Sequence, residues 1–183
     1  MLSVLRPIAR PLVVVGLIGL IGSVDGCLDS GTRGEAGYGP GDGFEGPTGV
    51  ALDGTGTVAA ITDGDTLRLE VEGQELRVRL IGVDTPEVYP DVECFGPEAT
   101  DALTALAPPG STLGYTYDRD ERDQYDRELM YLFTQDGILI NYELVAQGAG
   151  TAVLFEPNDR YWSDLQAAER AAQRDGLGLW GQC

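Results

Sequence analysis

No histidine and no lysine occur anywhere in the chain, and cysteine is limited to three residues. Without imidazole the chain has no ligand set suited to zinc or another soft metal, so a bound cation would have to be held by oxygen atoms. Without lysine, every basic side chain is an arginine: twelve guanidinium groups stand against thirty carboxylates, for a formal net charge of −18. Acidity of this degree ordinarily repels polyanions and anionic membranes. It also resembles the surface of proteins that work in concentrated salt, where the Debye length shrinks to about 3 Å and self-repulsion is screened. A GC-rich genome that favours arginine codons explains the missing lysine equally well. No apolar run is long enough to cross a bilayer, and no internal repeat is evident.

The N-terminal segment, residues 1–26, reads as an export signal. Arg6 and Arg10 form a positive head, residues 12–22 are an apolar run, and Val24-Asp25-Gly26-Cys27 follows. A cysteine at that place resembles a lipobox, which predicts cleavage before Cys27 and lipid attachment to it. Asp25 is an unusual occupant of that motif, and ordinary secretion or an uncleaved anchor are the other readings. Residues 27–55 are crowded with Gly, Asp, Ser, Thr and Pro without hydrophobic period, and predict a flexible tether. A folded domain is expected over residues 56–183, long enough for one sizeable core. Setting Cys27 aside leaves Cys94 and Cys183, which in an exported protein are expected to form a disulfide; two buried free thiols are the alternative.

Within that domain the pattern predicts strands first. Residues 57–62 are a short apolar run, and residues 66–71 alternate, with Leu67, Leu69 and Val71 on one face. After the Glu72-Gly73 turn, residues 74–81 alternate again, with Leu76, Val78 and Leu80 inward and Arg77 and Arg79 opposite, so Arg79 is expected to face outward, free for a ligand. Gly96-Pro97-Glu98 predicts a helix start, and Pro108-Pro109-Gly110 its stop. Further strands are expected over 111–117 and 129–134, the latter turning through Gln135-Asp136-Gly137 into Ile138 and Leu139. A short helix is predicted from Asn141 as cap to Gly148, then an extended stretch, then a last helix carrying Tyr161, Leu165, Ala168 and Ala172 as far as Gly176. Five or six strands with three helices make an α+β domain whose strands are expected to close into a barrel.

The chemistry concentrates where the strand ending in Arg79 runs into Asp84-Thr85-Pro86-Glu87. Asp65, in Asp63-Gly64-Asp65-Thr66, and Asp84 offer hard oxygen ligands, and the Thr85 carbonyl can add a third, a set that suits Ca²⁺. Arg79 and Arg127 carry the planar fork that grips two phosphate oxygens and stabilises charge developing at phosphorus. Glu87 is placed to orient a water and take its proton. These roles together describe phosphodiester hydrolysis. Each piece has a plainer reading: a turn at Asp63-Gly64-Asp65, an N-cap at Asp84, surface ion pairs for the arginines and packing for Tyr125.

The ordered set Asp63-Gly64-Asp65-Thr66, Arg79-Leu80-Ile81-Gly82-Val83-Asp84-Thr85-Pro86-Glu87, Gly96-Pro97-Glu98-Ala99 and Asp123-Gln124-Tyr125-Asp126-Arg127 resembles the thermonuclease, or staphylococcal nuclease-like, family from about residue 57 to 180. The resemblance implies a five-stranded OB-fold-like β-barrel with three helices and a Ca²⁺-dependent nuclease that acts on DNA and RNA and leaves 3′-phosphates. It assigns Asp65, Asp84 and Thr85 to the metal, and Arg79, Glu87 and Arg127 to catalysis, with nucleic acid as substrate; the chain is also expected to be a monomer. Departures are also visible. Asp126 and Glu128 replace glycines beside the second arginine and are expected to weaken phosphate binding or reshape that turn. Val88-Tyr89-Pro90-Asp91-Val92-Glu93 replaces a lysine-rich loop, and Leu154 and Phe155 stand where tyrosines would contact nucleotide. A non-catalytic barrel that binds protein or oligonucleotide is the alternative reading, and a simple Ca²⁺-binding surface lipoprotein a third.

Overall fold

The computed structural model describes residues 49–183. The export signal, Cys27 and residues 27–48 of the expected tether lie outside the described residues. Among the described residues no helix is long and apolar enough to cross a membrane.

Strands β1 (Gly54–Ile61), β2 (Thr66–Val71) and β3 (Gln74–Leu80) form an antiparallel meander. The alternation of β2 and β3 seats Leu67, Leu69, Val78 and Leu80 inside with no exposed surface, each contributing on the order of 2 kcal/mol of hydrophobic stabilisation. β5 (Thr112–Thr116) pairs with β1, and β6 (Glu128–Phe133) pairs with β5 antiparallel and with β3 in parallel. The sheet thus closes as β1-β2-β3-β6-β5, the expected α+β barrel of five strands. A separate two-stranded ribbon joins β4 (Val83–Asp84) to β7 (Thr151–Ala152).

Three helices pack against the barrel core. α1 (Gly96–Leu106), α2 (Ile140–Ala146) and α3 (Trp162–Asp175) bury Leu103, Leu144, Val145 and Leu165 in the same core as the strands. Gly176 ends α3 in a left-handed conformation (φ 63°), as its position in the sequence predicts. A short α4 (Leu179–Gln182) follows, which the sequence did not announce. Its last neighbour, Cys183, is bonded to Cys94 as expected.

Three expectations are corrected. β1 opens at Gly54, inside the stretch read as tether. Asn141 does not cap α2, since Leu139 holds the N-cap position. Instead its buried side chain accepts from Leu132 N–H (3.0 Å) and donates to Ile81 and Met130 carbonyls (2.8 and 3.2 Å). A buried amide gains more from satisfying three main-chain groups than from capping one helix end. Arg79 is not free, as the next section describes.

Candidate active site

Asp65 and Arg79 meet because β2 and β3 are paired in a fixed register, Thr66 opposite Arg79. The turn before β2 is set by Asp63, whose carboxylate accepts Asp65 N–H at 3.1 Å. Gly64 lies so close to Thr85 and Ala99 that a side chain there would collide with both. That approach carries the Asp65 carboxylate to Thr85: Oδ2 accepts Thr85 N–H (3.0 Å) and its hydroxyl (3.2 Å). Oδ1 accepts the Thr66 hydroxyl (3.1 Å) and sits 3.1 Å from Arg79 Nε.

The period of β3 does put Arg79 on the face away from the barrel interior, but two carbonyls, Asp65, Asp84 and Phe155 enclose it there. Arg79 is 5% exposed. Its Nη1 donates to the carbonyls of Leu80 (2.8 Å) and Val83 (2.5 Å), and Nη2 pairs with Asp84 Oδ1 at 3.0 Å. Phe155 lies under the guanidinium, 5.1 Å from Cζ to the ring centroid. Of five N–H donors, one on Nη2 is left without a partner among the described residues. A buried cation with that much fixed support is a rigid donor.

Asp84 is exposed at its carboxylate, while its backbone is held in the ribbon opposite Thr151. Asp65 is buried, and burial, outweighing Arg79 and the Thr85 N–H, pushes its carboxyl up to about 6. One guanidinium therefore leaves Asp65 short of positive charge. Two carboxylates and the Thr85 carbonyl, all oxygen, fit a hard divalent cation at this place. Among the described residues no three acidic or sulfur side chains gather into a ligand cluster, so the rest of such a shell would be water or phosphate.

Glu87 follows on an exposed loop, and among the described residues its carboxylate makes no hydrogen bond or ion pair. The structure therefore unites Asp65, Arg79, Asp84 and Thr85 directly and sets Glu87 three residues beyond Asp84, unbonded to them.

Arg127 arrives from the loop between β5 and β6. Asp123 organises that turn: Oδ1 accepts the N–H groups of Tyr125 and Arg127 (both 2.9 Å) and Oδ2 accepts Arg127 Nε (2.7 Å). Burial pulls the Asp123 carboxyl upward, but the Arg127 amide and guanidinium and the Tyr125 amide together hold it below the ordinary range. Tyr125 is exposed rather than packed, with the Arg127 Cζ 5.7 Å from its ring centroid. Arg127 and Phe155 line one cleft of about 370 Å³ together with Arg122, Asp123, Tyr125 and Leu129. Phe155 thus touches Arg79 on one hand and shares a cleft wall with Arg127 on the other.

The extra acids beside Arg127 have a partner that the sequence reading missed. Arg122 Nη1 pairs with Asp126 Oδ1 (2.9 Å) and its Nη2 with Glu128 Oε1 (2.6 Å). Glu128 Oε2 also accepts the Tyr117 hydroxyl at 3.0 Å. Asp126 adopts the left-handed conformation (φ 60°) that a glycine would take freely. The only sequence signal for this arrangement was an arginine four residues before Asp126 in an otherwise acidic loop.

A model of the family described as staphylococcal nuclease homologue matches residues 77–182. Thermonuclease of Staphylococcus intermedius is 36% identical over 126 residues, 67% of this chain and 74% of its own length. Thermonuclease of Staphylococcus hyicus is 32% identical over 126 residues, 67% of this chain and 73% of its own. Endonuclease YncB of Bacillus subtilis is 32% identical over 131 residues, 69% of this chain and 61% of its own.

Proposed function

The chain belongs to the staphylococcal nuclease homologue family, and from that premise we propose that it is an exported nuclease that hydrolyses DNA and RNA with Ca²⁺ and leaves 3′-phosphates. The observation that carries the reading is the Arg79 guanidinium, buried and fixed by Asp65, Asp84 and two carbonyls with one donor still available, and stacked on Phe155, which shares a cleft with Arg127. Few structural roles need so costly an arrangement.

Asp65, Asp84 and the Thr85 carbonyl would hold the calcium ion, which when bound supplies positive charge to the phosphate and polarises its P–O bonds. The chain's own groups account for the remaining work. The phosphodiester lies with one non-bridging oxygen toward Arg79 Nη2 and another toward Arg127, so donors stand ready where negative charge grows at phosphorus. Glu87, unpaired and solvent-facing, takes a proton from a water as that water attacks phosphorus in line. The bond from phosphorus to the 5′ oxygen breaks, that oxygen takes a proton from solvent and leaves as the 5′ hydroxyl, and the phosphate stays on the 3′ side.

Arg122 supports this reading against the charge problem. By pairing with both Asp126 and Glu128 it offsets one of the two negative charges that flank Arg127. The Cys94–Cys183 disulfide favours an oxidising compartment and thus export, with lipid on Cys27 as the proposed anchor. Cleavage of single-stranded DNA and RNA by the full chain, with Ca²⁺ and with chelator, tests the proposal. Ca²⁺-dependent 3′-phosphate ends are expected, and undiminished cleavage in chelator would contradict it.

A further inference from the structure

Glu87 stands on a loop that one residue closes from both sides. Its N–H donates to Glu93 Oε2 (3.0 Å), and its carbonyl accepts the Glu93 N–H (2.9 Å). The Glu93 carbonyl in turn accepts Gly96 N–H (3.1 Å), which ties the ring to the first residue of α1. Gly96 itself leaves no room for a side chain, since one would run into the Glu87 carbonyl. The loop tip has no such support: Tyr89 is 81% exposed and Val92 67%. Among the described residues, the hydrogen bonds that close the ring are those Glu93 makes at its base.

The next residue carries a second restraint. Cys94 is bonded to Cys183, 89 residues away, directly after α4. α4 is fixed in turn, because Leu179 N–H donates to the Gly148 carbonyl (2.9 Å) and Gly178 packs against Gly148 with no space for a Cβ. The bond ties the exposed loop to α4 at the residue immediately beside the one that clamps Glu87.

We infer that Glu93, tethered through the Cys94–Cys183 disulfide to α4, is a positioning residue that holds Glu87 where it can take the proton from water. The inference rests on the reading of Glu87 given above. In-line attack tolerates little displacement of the base, and a shift of about 1 Å in a catalytic group can cost about a hundredfold in rate. Glu87 has no side-chain partner among the described residues, and the two Glu93 bonds hold the backbone from which its carboxylate reaches out.

The test compares kcat, KM and the Ca²⁺-induced rise in melting temperature of the full chain on single-stranded DNA. Glu93→Ala should lower kcat at least about tenfold while KM and the Ca²⁺ shift stay within about twofold of wild type. Glu93→Gln keeps an acceptor oxygen for Glu87 N–H and should restore most of the loss. The double variant Cys94→Ser/Cys183→Ser, assayed well below its melting temperature, should lose kcat in the same way. Adding Glu93→Ala to it should cost less than the two effects multiplied, because both act through one restraint. Glu87→Gln is run beside them. If it keeps full turnover, the role given to Glu87 fails. If it is inactive while Glu93→Ala keeps wild-type kcat, or Glu93→Gln loses as much as Glu93→Ala, the positioning inference fails alone.

Discussion

Replacing Asp65 by Asn should change the pH dependence of stability in a way that a mere turn residue would not. Burial raises the folded-state pKa of Asp65 from 3.8 to about 6. A raised carboxyl favours the protonated form in the fold, so its stabilising contribution is complete below about pH 4 and is lost as the pH rises through about 6. At neutral pH and without cation, the ionised carboxylate costs the fold on the order of 3 kcal/mol at 1.36 kcal/mol per tenfold. Asn imitates the protonated form and has no charge to lose. The stability of Asp65→Asn minus that of wild type, measured by urea denaturation in chelator, should therefore rise by about 3 kcal/mol between about pH 4 and pH 7. A difference that is flat across this range would refute the reasoning. Cation binding needs the ionised form, so Ca²⁺ should stabilise wild type strongly at about pH 8, with affinity falling about tenfold per pH unit below about 6. Equal stabilisation at about pH 5 and pH 8, or in Asp65→Asn, would remove Asp65 from the ligand set.

Removing the Cys94–Cys183 bond, which closes a loop of 89 residues, should cost about 4.5 kcal/mol in the chain-entropy model. For a domain of this size that is a fall of roughly 15 °C in melting temperature, and calorimetry showing a loss below about 1 kcal/mol would contradict it. Arg79→Lys keeps the charge but cannot serve Asp65, Asp84 and two carbonyls at once. It should lower kcat/KM by about 10² or more and destabilise the fold by about 2 kcal/mol. Near-normal kinetics would argue against a fixed guanidinium donor.

What the sequence disclosed followed from local pattern. The period-two alternation of β2 and β3 yielded both strands and the core residues Leu67, Leu69, Val78 and Leu80, and the Gly-Pro start of α1 and the Gly176 stop of α3 were legible from backbone rules. β1 was read too short because Gly54 and Gly56 look like tether, whereas each leaves the space that Tyr115 and Leu69 fill. Alternation assigned Arg79 to the correct face, but part of what encloses its guanidinium, the Phe155 ring, comes from more than seventy residues away in the chain and carries no local signal. Asn141 was misread for the same reason: a capping residue type in a helix-start position is indistinguishable, in one sequence, from a buried amide serving three main-chain groups. α4 has only four residues and is too short for a periodic pattern.

Hydrolysis of single-stranded DNA by wild type and Glu87→Gln, each with Ca²⁺ and with chelator, tests the central claim most directly. Wild type should cleave only with Ca²⁺. Glu87→Gln should fall by about 10² to 10⁴ in kcat while retaining the Ca²⁺-induced stabilisation, because its role is proton transfer and not metal binding. Cleavage by wild type that chelator leaves intact, or a Glu87→Gln variant as fast as wild type, would contradict the account.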